Sequence, residues 1–260
     1  MVEIINNNSI TNCWNQEFKT NKKISKLKFI HIGKCGGTSL IYYFLKHGIK
    51  LEQYHLKKPV FVEDTKYLMW VRDPIDRFIS CFNHLKEIVG YQIPAGIQPQ
   101  DLNLENCPAP GKIIKKINYG FCFSEEIDLA LKKFDSAEDL ISSLISKNDK
   151  NKSSAEFIIN NPVEHINKGI SWYMYEGEFI EKNFHKFLMV GSIKNFSSDL
   201  NKLLNLLNLN NCVESPHKRK SRIKNKSYLS EKSINFLRNE FLVKDYYCLN
   251  LLKENLLITS

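Results

Sequence analysis

Residues 33 to 39 put one lysine, three glycines and two hydroxyls into seven positions: Gly33-Lys34-Cys35-Gly36-Gly37-Thr38-Ser39. An apolar run (Leu27, Phe29, Ile30, Ile32) leads into this segment, and a helix-like stretch from Leu40 to Lys46 leaves it. A strand, a glycine turn and a helix in that order make an anion site. The glycines let the backbone come close to a ligand, and the amides at the helix start point at it. Lys34 adds a mobile positive charge, and Thr38 and Ser39 add hydroxyl donors. The chemistry implied is the holding of a phosphate- or sulfate-bearing ligand at residues 33–39. Taken alone, the segment could also be an ordinary glycine turn.

Two common phosphate patterns do not fit. The nucleoside-triphosphatase loop places lysine after its last glycine and directly before the hydroxyl, whereas Lys34 precedes the Gly36-Gly37 pair. The dinucleotide spacing Gly-x-Gly-x-x-Gly is also missing. A second segment adds to the case: Tyr67-Leu-Met-Trp-Val-Arg72-Asp73-Pro74-Ile-Asp-Arg77-Phe-Ile-Ser80-Cys-Phe-Asn-His84. Tyr67 to Val71 reads as a short buried strand. Asp73 before Pro74 reads as a helix start, an N-cap acceptor followed by proline at the first helical position. Ile75, Phe78, Ile79 and Phe82 then share one apolar face. Arg72 leaves the carboxyl end of the strand, where ligands of open parallel sheets sit, and Ser80 follows two turns into the helix. For either arginine by itself, a salt bridge at a helix end is the plainer reading.

Together the two segments resemble the sulfotransferases that use 3'-phosphoadenosine 5'-phosphosulfate (PAPS), and are closest to the carbohydrate branch typified by heparan sulfate 2-O-sulfotransferase. In that family a strand–loop–helix reading Pro-Lys-x-Gly-Gly-Thr-Ser holds the 5'-phosphosulfate, and Arg-Asp-Pro-x-x-Arg-x-x-Ser holds the 3'-phosphate. Here Gly33 stands for the usual proline and Cys35 for the usual threonine, while the lysine and both hydroxyls remain. The resemblance implies donor contacts at Gly33, Lys34, Cys35, Gly36, Gly37, Thr38, Ser39, Arg72 and Ser80. A third stretch, Ser215 to Lys226, carries six Lys or Arg in twelve residues. Such a run is commonly a solvated loop. In the family a basic loop before the final helix folds over the 3'-phosphate, which makes Lys218 and Lys220 the candidates here. The implied product is adenosine 3',5'-bisphosphate, and no metal is required.

Sulfuryl transfer needs a base for the acceptor hydroxyl and a positive group for the departing phosphate. Lys34 suits the second task. Histidine suits the first near neutral pH, and in the 2-O-sulfotransferase branch the base is a histidine in the segment before the Arg-Asp-Pro strand. His55, in Gln-Tyr-His-Leu-Lys-Lys-Pro, occupies the comparable stretch. A surface or core-edge histidine is the plainer alternative. His31, inside the first strand, reads as packed and hydrogen-bonded, and His84 as a residue of the Arg-Asp-Pro helix. His165 lies close in sequence to Trp172, Tyr173 and Tyr175, so His165 and Trp172 are candidates for holding an acceptor sugar, although such aromatics are also ordinary core. Glu125 and Glu126 open a helix, where acids complement its dipole.

Composition agrees without deciding. The formal net charge of +9 over 260 residues suits an anionic donor and an acidic glycan acceptor. It would suit nucleic acid too, but no zinc-ligand spacing, recognition-helix signature or aromatic-and-basic RNA motif is present, and none is expected as a partner. The seven cysteines lack framework or metal spacing, which favours free thiols in a reducing compartment. Cys35, next to Lys34, could be an activated thiol; its place in the loop favours a small filler. No signal-peptide pattern or membrane-length apolar run is seen, so a soluble, cytoplasmic protein is expected. Two other classes stay open: a P-loop-like nucleotide kinase, which would need a magnesium-binding acid, and a non-catalytic nucleotide- or polyanion-binding module.

To hold these residues in place, the chain must supply strands at 27–32, 51–55, 67–71 and 187–191. Helices are expected at 38–47, 74–88, 124–134, 136–147, 152–160 and 197–209, with one long helix over 230–251. Glycines and prolines mark residues 90–120 as loops. Strands alternating with helices predict an α/β fold, a mainly parallel central sheet flanked by helices. The resemblance makes it the P-loop-NTPase-like sulfotransferase fold. A polar lead-in over 1–24 and a single domain over 25–260 are expected.

Overall fold

The computed structural model describes residues 26–46, 49, 51–89, 125–161, 165–209 and 228–255. The elements run β1 (Lys26–Ile30), α1 (Gly37–Lys46), β2 (Glu52–Tyr54), β3 (Thr65–Val71), α2 (Pro74–Val89), α3 (Glu125–Lys132), α4 (Ala137–Ile145), α5 (Lys152–Asn160), α6 (Ile170–Tyr173), α7 (Glu178–Asn183), β4 (Phe187–Ser192), α8 (Phe196–Leu206), α9 (Glu231–Phe236) and α10 (Val243–Glu254). The lead-in, residues 90–124 and the basic stretch at 215–226 lie outside the described residues. The chain divides into two compact units that draw on alternating segments: Met1–Pro74, Lys168–Lys218 and Lys244–Ser260 in the first, Ile75–Asn167 and Arg219–Val243 in the second.

The sheet of the first unit has the order β2-β1-β3-β4, and every pair is parallel. All four carboxyl ends therefore lie along one edge. β3 is central, and six of its seven residues are buried, which is why Tyr67–Val71 reads as an unbroken apolar run. Alternation divides its side chains between two cores. Tyr67, Met69 and Val71 join Ile30, Ile32, Tyr54, Ile170, Tyr173, Phe179 and Leu249 on one face. Leu68 and Trp70 join Phe29, Tyr43, Phe44, Leu200, Leu203 and Leu204 on the other. Helices thus cover both faces, α6, α7 and α10 on one and α1 and α8 on the other. A shift in the β3–β4 register sits between Tyr67 and Leu68, where Phe187 and Met189 are the partners. Leu188 is the extra residue, so the in–out pattern of β4 resumes in phase.

The second unit is helical. Ser136 starts α4 by a capping box: its hydroxyl accepts from the Asp139 amide, and Asp139 accepts from the Ser136 amide. The expected long C-terminal helix is corrected. Leu237–Phe241 forms a π turn between α9 and α10, with the Leu242 amide donating to the Leu237 carbonyl at 2.7 Å. The apolar pairs Phe236-Leu237 and Phe241-Leu242 keep a pattern that a helix can follow, so the wider turn leaves no mark in the sequence. Among the described residues no helix is long and apolar enough to cross a membrane.

Candidate functional site

The loop after β1 is built around two left-handed residues, Lys34 (φ 68°) and Gly36 (φ 80°). For a lysine that conformation costs about 1–2 kcal/mol, a strain held by the surrounding structure. Gly36 is favoured by its φ; a side chain there would also have to push aside the tip of Ile193, whose Cδ1 lies 2.7 Å from the position of a Cβ. Its carbonyl accepts from the Leu40 amide at 3.1 Å. α1 starts at Gly37, so the amides of its first turn lie at the carboxyl end of β1, where a helix N-terminus favours an anion. Thr38 is exposed and Ser39 half-buried. Cys35 is fully buried and belongs to the apolar core. Its thiol therefore faces inward as the filler of the turn, and only its backbone can serve a ligand.

Arg72 emerges from β3, next to β1. It is half-buried, and its Nε, like that of Arg77, is buried with no hydrogen-bond partner among the described residues. A buried, unmatched cationic donor costs free energy unless an anion meets it. That fits an anion at this edge, as does the glycine cradle after β1. Asp73 precedes Pro74 at the start of α2, as the sequence implied, and accepts from the Tyr246 hydroxyl at 3.1 and 3.3 Å.

His55 follows β2, at the same edge. Its Nδ1 lies 3.2 Å from the His31 carbonyl oxygen. A carbonyl only accepts, so Nδ1 carries the proton and the lone pair of the neutral ring is on Nε2. The His55 ring stacks on that of His31, with centroids 4.2 Å apart and planes at 26°. His31 is buried, and its Nδ1 donates to Gln53 Oε1 at 2.8 Å. Burial, then the charge His55 would carry, push His31 down to about 4 against a smaller opposing effect of Gln53. His31 is therefore a neutral, packed residue, in line with its place in the strand.

Around this edge lies an aromatic and basic surface. Trp172 is half-buried, with Lys58 Nζ 5.6 Å and Lys168 Nζ 5.1 Å from its ring centroid. Lys58 also lies 4.4 Å from the Tyr175 ring. The Leu56 amide donates to the Tyr173 hydroxyl at 3.0 Å, which joins the segment after His55 to the helix of Trp172.

In the second unit, Arg77 is fully buried and donates to the carbonyls of His165 (2.7 Å) and Ile166 (3.2 Å) and to Cys81 Sγ (3.3 Å). Those bonds tie α2 to the turn at residues 165–167. His165 is buried, its ring 6.3 Å from that of His84. His84 Nδ1 lies 3.9 Å from Glu87. Ser80 is half-buried on α2. Lys218 and Lys220 lie outside the described residues.

The fold thus brings residues 33–39, His55 and Arg72 to one edge of one sheet. Gln53, Lys58, Lys168 and Ile193 were not singled out from the sequence. A signal existed for Gln53: it shares a strand face with His55 by period two, and the register pairs it with Phe29, one strand step before His31. The profile of a family described as "Sulfotransferase family" matches residues 16–253. Comparisons with curated proteins and with solved structures gave no match.

Proposed function

Because the chain belongs to the sulfotransferase family, we propose that it moves a sulfuryl group from PAPS to a hydroxyl of a carbohydrate acceptor, with His55 as general base. Family membership carries the coarser statement, sulfuryl transfer to an acceptor. The finer reading rests on one observation: the glycine loop, Arg72 and His55 lie at the carboxyl ends of three adjacent parallel strands.

When bound, the donor supplies an activated sulfuryl group on a phosphate leaving group. In this reading the α1 amides, Thr38 and Ser39 bind the phosphosulfate end through hydrogen bonds to its charged oxygens. Lys34 stabilises negative charge as it grows on the departing phosphate oxygen. Arg72, with its unmatched Nε, takes the 3'-phosphate; Ser80, Lys218 and Lys220 join that role on the motif alone. His55 Nε2 takes the acceptor proton, because its Nδ1 is committed to the His31 carbonyl. Trp172, flanked by Lys58 and Lys168, offers an apolar face and positive charge to the acceptor ring.

The test is transfer of radiolabelled sulfate from PAPS to a panel of glycans, phenols and small alcohols. Labelled glycan is the expected outcome. Label confined to phenols would move the acceptor class, and no transfer to any member would overturn the reading.

A further inference from the structure

Resting on the reading of His55 as the base, we propose that His31 and Gln53 are positioning residues that fix the proton and ring plane of His55 and tie them to the anion loop. Four contacts carry this. The His31 carbonyl receives the His55 Nδ1 proton at 3.2 Å, which leaves the lone pair on Nε2. The His31 ring stacks on the His55 ring at 4.2 Å, which sets the direction of that lone pair. Gln53 Oε1 accepts from His31 Nδ1 at 2.8 Å, so the His31 ring cannot turn over without losing the bond. The opposite edge of that ring is lodged against the start of α1: a side chain on Gly37 would meet His31 Cδ2 at 2.1 Å and Nε2 at 2.4 Å.

The strand order explains why such support is needed. β2 is a three-residue edge strand, and His55 follows its last residue. The ladder is continued past β1 by the His31 amide donating to the Tyr54 carbonyl at 3.0 Å. Beyond His55 the backbone turns through Leu56 at φ 57°. A base just past the end of a three-residue strand would, without further contacts, sample several rotamers. Stacking it on a buried ring that also touches the first residue of α1 joins base and anion loop in one packed unit. His31 stays neutral over the range in which a histidine base works, so it adds no charge beside His55.

The direct readout needs no acceptor. In 15N-histidine-labelled protein, His55 should show a protonated Nδ1 and a lone pair on Nε2. Gln53→Leu frees the His31 ring to turn away from the stack and so lets the His55 ring swing off the His31 carbonyl, which should bring in the second tautomer. Gln53→Glu, which keeps an acceptor, should restore one. With the acceptor found in the transfer panel, Gln53→Leu should lower kcat by about three- to tenfold, the usual worth of one hydrogen bond. Adenosine 3',5'-bisphosphate affinity should stay within about twofold. Should Gln53→Leu fail to fold, His31→Leu removes both the stacked ring and the Gln53 bond and takes the same readouts. An unchanged His55 tautomer in the folded variants would overturn the proposal, as would a fall in kcat without any change in tautomer. Failure of the base reading is separate: His55→Ala would then retain turnover whatever the spectra of Gln53→Leu show.

Discussion

Arg72 and His55 make opposite demands on a substitution experiment, and together they separate donor binding from chemistry. In the proposed reading Arg72 holds a group of the donor in every bound state, so Arg72→Ala should weaken adenosine 3',5'-bisphosphate by about tenfold or more, as expected for a charged hydrogen bond of roughly 1.5–3 kcal/mol. Adenosine 5'-phosphosulfate lacks the 3'-phosphate and should lose little. Titration calorimetry with both ligands checks this, and equal losses would remove the 3'-phosphate assignment. As the proposed base, His55 should matter only once the acceptor is aligned. His55→Ala should therefore bind the bisphosphate normally while lowering turnover by about a hundredfold to ten-thousandfold, and the rising limb of its pH–rate profile should disappear. His31 yields a third residue-scale prediction. Its folded value of about 4 lies below the ordinary 6.5, so between those limits the unfolded chain binds a proton that the folded chain refuses. Stability is fully present above about pH 6.5 and falls as pH drops toward 4, by about 3 kcal/mol in all. In urea titrations across that window His31→Phe should remove this part of the slope; an unaltered slope would mean that His31 is not held neutral.

At the scale of elements, the sequence was legible wherever one segment contained its own explanation. β3, its exit through Arg72-Asp73-Pro74, the start of α2 and the glycine turn before α1 depend on local backbone chemistry, and they fold as read. Fully buried Cys35 also fits its reading as a filler, since it packs within the apolar core beneath the loop. The stacking of His31 on His55 and the anchoring by Gln53 depend on strand register across 22–24 residues of chain, which periodicity within one strand does not encode. The π turn before α10 was missed for a related reason, since its apolar pairs satisfy either helix geometry. Glu138 shows the same long-range dependence. On α4, it accepts from Ser142 Oγ (2.9 Å), from the Ser230 amide (2.9 Å) and from Ser233 Oγ (2.9 Å), joining α4 to the first turn of α9. Burial alone would raise its carboxyl, but the bonds from Ser230, Ser142 and Ser233 outweigh it and lower the pKa. The stabilisation is thus present above the ordinary carboxylate range and lost as pH falls through the lowered value. Glu138→Ala should cost about 1–2 kcal/mol, read as a lower urea midpoint at neutral pH. The loss should shrink in acid, where the wild-type carboxyl is protonated; a difference that persists there would assign the effect to packing.

For the whole molecule, the question is whether the charge of +9 serves one shaped site or a diffuse attraction to anions. The two have different thermodynamic signatures. A specific ligand that binds only the folded chain stabilises it by RT ln(1 + [L]/Kd), about 2.7 kcal/mol at one hundred times Kd. Each kcal/mol raises Tm by about 2–4 °C for a chain of roughly this size. Adenosine 3',5'-bisphosphate at that excess, without magnesium, should therefore raise the melting midpoint by about 5 °C or more. ATP carries more phosphate charge but no 3'-phosphate for Arg72, and at equal concentration it should give only a small part of that shift. A general polyanion effect would rank the ligands by charge, and would fade together for both as salt screens it over a Debye length of about 10 Å at 0.1 M. A contact from a buried donor is screened less, so if Arg72 Nε takes the 3'-phosphate as proposed, the bisphosphate should keep most of its shift at about 0.3 M salt. A larger shift with ATP, above all one that depended on magnesium, would instead favour nucleotide triphosphate chemistry at the same loop. Equal, salt-labile shifts with both ligands would leave only a basic surface.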